Sequence, residues 1–347
     1  MDVSIIIPIY NGSTWIKPCF EAILAQTALK EIKLEVSICN DSSDDDTQEL
    51  LDKWKSLFED NNITFKCYLN DTGSPKGVGY AKNKAVELST GQYLCFQDVD
   101  DVMLPERILM QFKEAKALSN DYLIGSKFVR EPRDSTIRYT NWANNLSNEQ
   151  LVNQIYTSNG PTIIMPTWFC HRSAYDRVGG FVEDGKGTPE DLIFFYKHLD
   201  LDGKVYKVET NLLVYYYHQH ATTFSIKEET IWNLRLERLQ SKVLCNWKTF
   251  TIWNAGKQGR KFYNSLSAEN RVKVMAMCDV DVKKVNKKYT PYDARLRKAG
   301  KPLDMVHFKD AKPPFVICVK LDMTGGCFEK NLESLQLKEN LDYVYFS

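Results

Sequence analysis

The stretch YLCFQDVDDVMLPERI, residues 93–108, decides the fold because it sets two demands against each other. Tyr93 to Phe96 form a short apolar run of the kind that reads as a buried strand. Directly beyond it stand Asp98, Asp100 and Asp101. Their carboxylates repel one another, and burying them unpaired costs on the order of several kcal/mol each. Open α/β sheets bind ligands at the carboxyl ends of their strands, which is where this cluster falls. A hard divalent cation held there relieves the repulsion and in turn holds a phosphate group. D-x-D alone also serves as a turn or a helix cap, here ahead of Pro105, so the weight falls on its surroundings.

Outward from that stretch, short apolar runs at 3–9, 34–39, 64–69 and 92–96 alternate with helical patterns at 13–25, 45–58, 79–88 and 105–118. That alternation is the signature of βαβ units around a largely parallel sheet. The strand ends carry the chemistry. IIIPIYNG closes the first with Pro8, Tyr10 and Asn11, a turn suited to presenting an aromatic ring and amides to a base. VSICNDSSDDDT closes the second with Asn40 and Asp41, where a carboxylate can accept an imide N–H. GVGYAKNKAV brings two glycines, then Lys82 and Asn83 at a helix start, an arrangement for a diphosphate or a base edge. GTPEDLIFFYKHL sets Glu190 and Asp191 in the first turn of a helix. Each segment has a purely structural reading as a turn, cap or helix start; their occurrence in this order is what argues for a site.

The ordered set is P-x-Y-N, N-D-S-S-x-D-D-T, G-x-x-x-A-K-N, D-x-D-D, the W-F-x-H-R-x-x-x-x-x-V-G-G-F segment at 168–181, E-D, and Y-x-H-Q-H. Over residues 2 to about 225 it resembles glycosyltransferase family 2, with its inverting GT-A fold. The resemblance implies that Pro8, Tyr10 and Asp41 contact uracil, with Asn11 beside them, and that Lys82 contacts the base or diphosphate. It further implies that Asp98 holds the ribose or sugar of a UDP-sugar and that Asp100 and His220 hold Mn2+ or Mg2+. Trp168, Arg172, Gly180 and Glu190 fall on the acceptor side, and Asp191 is the general base. Two departures stand out. His218 occupies the position of a more usual Arg, and Lys82 replaces an Arg, which keeps the charge but loses bidentate geometry.

The net charge of zero over 347 residues hides an asymmetry. Residues 1–240 carry 25 Lys and Arg against 34 Asp and Glu, a net of −9, while residues 241–347 carry 20 against 11, a net of +9. The expected organisation is therefore an acidic GT-A domain over 1–240, with a mixed, mainly parallel sheet, and a basic Rossmann-like α/β domain over 241–347. The segment 225–247 has helical spacing and is expected to close the first domain, and a short helix is expected near 148–156 within an otherwise loop-dominated 131–150. Lys257, Arg260 and Lys261 at a helix start, with Lys283, Lys284, Lys287, Lys288, Arg295 and Arg297, supply phosphate contacts of the sequence-independent kind that nucleic acids attract.

No apolar run reaches the roughly 20 residues of a membrane helix, and the N-terminus runs straight into a strand, so no membrane partner and a cytoplasmic location are expected. Nine Cys without a C-x-x-C pair read as reduced core thiols. At whole-chain level the sequence is similar to the animal β-1,3-N-acetylglucosaminyltransferase-like group, associated with galactosylation of queuosine in tRNA. That likeness implies UDP-galactose as donor and a queuosine hydroxyl of tRNA as acceptor. The older family name implies instead N-acetylglucosamine and a glycan or protein acceptor. A rival from another class is an NAD-binding oxidoreductase or sensor, raised by NAGKQGRKF (254–262) with Asp279 beyond it, although Asn254 stands where the first fingerprint glycine belongs. Oligomeric state is not legible.

Overall fold

A computed structural model describes residues 1–219, 221–293 and 297–347. The chain forms two compact units, one of residues 1–152 with 160–227, the other of residues 153–159 with 228–347.

In the first unit, β1 (Val3–Ile9), β2 (Leu34–Asn40), β3 (Thr64–Leu69), β4 (Tyr93–Phe96), β5 (Val102–Met103), β6 (Tyr122–Glu131), β7 (Phe169–His171) and β8 (Lys204–Tyr216) make one sheet. Its order is β3-β2-β1-β4-β7-β6-β8-β5. β3, β2, β1 and β4 run parallel, as do β6 and β8, whereas β7 is antiparallel to both its neighbours and β5 is antiparallel to β8. β1 and β2 are buried along their whole length; β1 is accordingly almost continuously apolar, whereas β2 alternates Leu34, Val36 and Ile38 with Glu35 and Ser37, whose polar groups are hydrogen-bonded in the interior. Helices Ser13–Leu24, Thr47–Asp60, Val78–Leu88 and Arg107–Ala117 follow β1, β2, β3 and β5 within a few residues of the expected places. The family's mixed, mainly parallel GT-A sheet is present.

The loop reading of 131–150 is corrected: Ile137–Asn145 is a helix, and only Gln150–Asn153 is helical in the 148–156 stretch. The reason is tertiary. Lys207, 2% exposed, donates from Nζ to the carbonyls of Ala143, Asn144 and Leu146 at 3.3, 2.6 and 2.7 Å, satisfying the helix's C-terminal acceptors from β8.

The second unit contains β9 (Phe250–Trp253), β10 (Val274–Asp279), β11 (Lys287–Tyr289), β12 (Tyr292–Asp293), β13 (Lys298–Ala299), β14 (Leu303–His307), β15 (Phe315–Ile317) and β16 (Tyr343–Tyr345). Its main sheet is ordered β11-β14-β10-β9-β15-β16, and β12 pairs with β13 apart from it. From β9 the chain steps one way to β10 and β14, then crosses back to β15 and β16, all parallel, which is the Rossmann order with a switch point between β9 and β15. Gly259 explains how helix Lys257–Ser265 packs so closely on the turn after β9: a Cβ there would collide with the Asn254 carbonyl oxygen. Trp253, Phe308, Phe315 and Phe328 form the aromatic centre of the core.

One boundary is corrected. Helix Glu228–Lys242 belongs to the second unit, so the division falls at 227/228 rather than after 240. Its Trp232 donates to Ser265 Oγ at 3.2 Å and meets the Phe346 ring edge-on, and Arg235 donates to the carbonyls of Tyr156 and Ser347. All nine Cys are unbridged; six are buried, but Cys67 is half-buried and Cys245 and Cys327 are exposed. Among the described residues no helix is long and apolar enough to cross a membrane.

Candidate active site

Three strand ends converge because of register. Ile9 lies opposite Asn40 and Ile6 opposite Phe96, so the residues after β1, β2 and β4 emerge on one edge of the sheet. Ile6 accepts from Gln97 N at 3.0 Å, and Pro8, two residues on, faces the same side with no N–H to give. The β1–β4 ladder stops there, and the chain is free to turn through Asp98–Asp101. Tyr10 is 50% exposed at the tip of β1. Asn11, in the left-handed region at φ 51°, braces the two neighbouring turns: its N–H donates to Ser43 Oγ at 2.9 Å and its Oδ1 accepts from Asp44 N at 3.0 Å. Asp41 reaches the same corner, but its carboxylate is engaged. It accepts from Asn70 Nδ2 at 2.7 Å and from the backbone amides of Lys76 and Gly77 at 2.9 and 2.8 Å, fixing the loop ahead of helix Val78–Leu88. The open acceptor expected from the sequence is instead an occupied one.

The acids beyond Phe96 lie together as expected. Asp98, Asp100 and Asp101 each offer an oxygen, all within 4.8 Å of one another. Asp101 Oδ1 accepts from Tyr216 N at 3.0 Å, and Asp100 Oδ2 lies 2.8 Å from His218 Nε2, whose ring stacks on Trp15. Asp98 Oδ1 and Asp101 Oδ2 are shut off from solvent with no hydrogen-bond partner. Burial, helped by the charge of Asp100 against the pull of Lys82, lifts the Asp98 carboxyl to about 7; burial together with Asp100 and Asp98 lifts Asp101 well above the ordinary range. Beneath the turn, fully buried Arg107 donates to Phe96 O at 2.7 Å, to Gln97 Oε1 at 2.6 Å and to Gln111 Oε1 at 3.1 Å. Arg107 thus fixes the turn but gives the acids no direct hydrogen bond. Orphaned carboxylate oxygens in close array are the donor set of a hard divalent cation, so the residues present fit Mg2+ or Mn2+. His220 lies outside the described residues; among those described, His218 is the histidine set against Asp100.

Across from this corner, helix Glu190–Asp200 carries two acids in its first turn. Lys82, expected to reach base or diphosphate, is 1% exposed and donates to Glu190 Oε1 at 2.8 Å. Burial alone would lower its ammonium, but Glu190 and then Asp98 outweigh burial and keep it protonated. Glu190 is accordingly the partner of Lys82 rather than an open acceptor contact. Asp191 is half-buried; its Oδ1 accepts its own helix's Leu192 N at 2.6 Å, and Oδ2 makes no hydrogen bond among the described residues. Burial and the neighbouring Glu190 charge push its carboxyl up to about 7. Gly160 faces Oδ2 across 3.8 Å from where a side chain would begin, which leaves room beside it.

One acceptor-side residue is corrected. Trp168 is fully buried, donating to Ile163 O at 3.0 Å and packed on Phe181, Phe194 and Phe195, because its indole fills the core under β7. Arg172 ties Gly91 O at 2.8 Å, Val86 O and Ser89 Oγ together at the end of helix Val78–Leu88. Gly180, at φ 82°, lies against Asn83 and Tyr175. In the second unit, Lys257, Arg260, Lys283, Lys287, Lys288 and Arg297 are exposed. Lys261 pairs with Glu228 at 3.2 Å, Lys284 with Asp279 at 2.9 Å and Lys288 with Asp304 at 3.5 Å, while Arg295 lies outside the described residues. Asp279, the acid a dinucleotide ribose would need, is also held by Ala255 N at 3.0 Å.

A mixed sheet of this order, with an acid trio at the end of β4 and a carboxylate facing it, is the plan of a GT-A glycosyltransferase. Comparison with known proteins agrees: residues 4–179, just over half the chain, match the family described as "Glycosyl transferase family 2", and the chain belongs to that family. It is 30% identical over 125 residues to a poly(ribitol-phosphate) β-glucosyltransferase of Bacillus spizizenii, covering 36% of this chain and 19% of that protein. It is 35% identical over 132 residues to the UDP-Glc:α-D-GlcNAc-diphosphoundecaprenol β-1,3-glucosyltransferase WfaP of Escherichia coli, covering 37% of this chain and 48% of that one. The match thus spans less than half the length of these relatives. Among solved structures, S. aureus TarS 1–349 in complex with UDP-GlcNAc aligns with a TM-score of 0.52 and 17% identity, covering 69% of this chain and 67% of that one, a likeness of fold.

Proposed function

We propose that the chain is an inverting, metal-assisted glycosyltransferase that moves a hexose from a UDP-sugar to a hydroxyl acceptor, with Asp191 as general base. The observation that carries this reading is the presence of two unlike acid groups, one beyond β4 and one at the start of helix Glu190–Asp200: the orphaned oxygens of Asp98 and Asp101, and the free Oδ2 of Asp191 with its carboxyl near 7. A base poised near neutrality both takes and holds a proton effectively. Asp191 Oδ2 removes the proton of the acceptor hydroxyl as that oxygen attacks the anomeric carbon, and the bond to the diphosphate breaks on the opposite face. Tyr10 stacks on the uracil, and Asp41 shapes that pocket by fixing the 70–77 loop. Lys82 keeps Glu190 in place beside Asp191 and holds positive charge under the site. A bound Mg2+ or Mn2+ on Asp98, Asp100 and Asp101 would supply Lewis-acid stabilisation to the departing diphosphate.

For the finer substrates we propose galactose as the sugar and queuosine in tRNA as the acceptor. What supports this is the set of exposed lysines and arginines on the basic second unit, which suit a polyanion. The test is incubation with labelled UDP-galactose, UDP-glucose and UDP-N-acetylglucosamine and with total RNA, with and without Mn2+. RNA-linked label from UDP-galactose alone is expected. Label confined to protein or glycan, or arriving from UDP-N-acetylglucosamine, would overturn the acceptor or the donor assignment respectively.

A further inference from the structure

The diphosphate of a UDP-sugar needs a cation besides the metal, and the residue that the sequence offers for it, Lys82, is buried and committed to Glu190. Another cation is free. Arg130, near the end of β6, is half-buried, and its guanidinium sits among four rings: Tyr215 at 4.4 Å, Tyr217 at 5.2 Å, Tyr139 at 5.3 Å and Phe128 at 5.8 Å from their centroids. Nε is sealed from solvent without a partner, and the guanidinium makes no hydrogen bond or ion pair among the described residues. Such a cage holds a cation by its faces and leaves the in-plane N–H groups for an anion.

The register says which anion. Arg130 pairs with Tyr215 and Glu131 with Tyr216 across β6 and β8. Tyr216 donates its N–H to Asp101, and two residues further on His218 meets Asp100, so the strand that supports Arg130 also holds the acid trio. On the other side, Tyr139 of the cage feels the charge of Asp191. Arg130 therefore lies on the strand pair that supports the metal-ready acids, and a ring of its cage senses the carboxylate assigned as base. In a UDP-sugar the group between those two points is the β-phosphate, which bears the anomeric carbon.

We propose that Arg130 binds the β-phosphate of the nucleotide-sugar donor and offsets the negative charge that builds on its oxygens as the sugar leaves. This rests on the UDP-sugar reading above. The guanidinium's planar fork matches two phosphate oxygens, a geometry a lysine does not reproduce.

Titration calorimetry of the full chain with UDP and with UMP, in Mn2+ and again in EDTA, separates the possibilities. Arg130→Met is expected to weaken UDP roughly 10- to 100-fold, the range for a hydrogen-bonded charge pair, while UMP binding stays within about twofold. Arg130→Lys should recover only part of the loss. Retained UMP binding shows that the variant is folded. Unchanged UDP affinity in Arg130→Met, or equal loss of UDP and UMP, would overturn the proposal while leaving the donor reading intact. Failure of the wild-type chain to prefer UDP over UMP would remove both.

Discussion

Two clusters of buried acid lie at opposite ends of the first sheet, and they behave in opposite ways. At the amino ends of β1, β2 and β4, Glu35 is fully buried yet accepts from Ser4 Oγ at 2.5 Å, Gly91 N at 3.0 Å, Thr90 Oγ1 at 2.9 Å and the Thr90 amide, with Lys66 at 3.1 Å. Burial pushes its carboxyl up, but these donors outweigh burial and hold it below the ordinary value. At the carboxyl ends, Asp101 is buried and Asp98 half-buried, yet each keeps an oxygen sealed from solvent with no partner, and both are pushed upward. The first cluster is complete within the chain. The second is completed only by something bound, and that difference separates a structural charge from a functional one.

The comparison can be broken in several ways. Asp191→Asn should lower the transfer rate about 10³-fold, within the range of general-base contributions, and leave the UDP dissociation constant within twofold. A loss of UDP binding of similar size would make Asp191 part of the donor site. Glu35→Gln should destabilise the protein by about 3 kcal/mol, since it breaks a buried hydrogen-bonded pair, with no change in UDP affinity; urea unfolding beside calorimetry reads both. Asp98→Asn should do the reverse. In EDTA it should raise the unfolding midpoint by a few degrees, because one member of a repelling set is removed, and it should abolish the further stabilisation that Mn2+ gives the wild type.

The smallest effect is on pH, where the signs differ. Asp98 has a folded value near 7 against an ordinary 3.8, so the metal-free protein gains stability from its proton below about 4 and loses that gain as pH rises through 7. Glu35, with a folded value below its ordinary 4.5, contributes stability above that value and loses it as pH falls through the folded one. Urea midpoints in EDTA at pH 5 and 7.5 should therefore fall with pH in the wild type and fall less in Asp98→Asn. An equal slope in both proteins would mean that Asp98 is ionised without cost.

Much of the first unit was readable in the chain. β1, β2, β3 and β4 and the helices after them announced themselves as short apolar-rich runs alternating with helical patterns, most clearly β1 and β4, which are fully buried and almost continuously apolar. The acids after Phe96 were legible as a cluster since they are adjacent in sequence. The roles of Lys82 and Glu190 were not. They are 108 residues apart, and nothing local says that their charges meet at 2.8 Å. Trp168 misled for a related reason: an aromatic near a motif looks like a binding surface, whereas its surroundings of Phe181, Phe194 and Phe195 make it core. Arg107 and Arg130 gave no signal, since an arginine at a helix start or strand end is ordinary until its neighbours are known.

By itself the sequence determined the strand–helix alternation, the acid cluster and the opposite charges of the two halves, all of which depend on residues close together along the chain. Tertiary structure alone decided which charges are neutralised inside the protein and which are left waiting. An ion pair or an orphaned oxygen is a property of distance and burial, and chain neighbours fix neither.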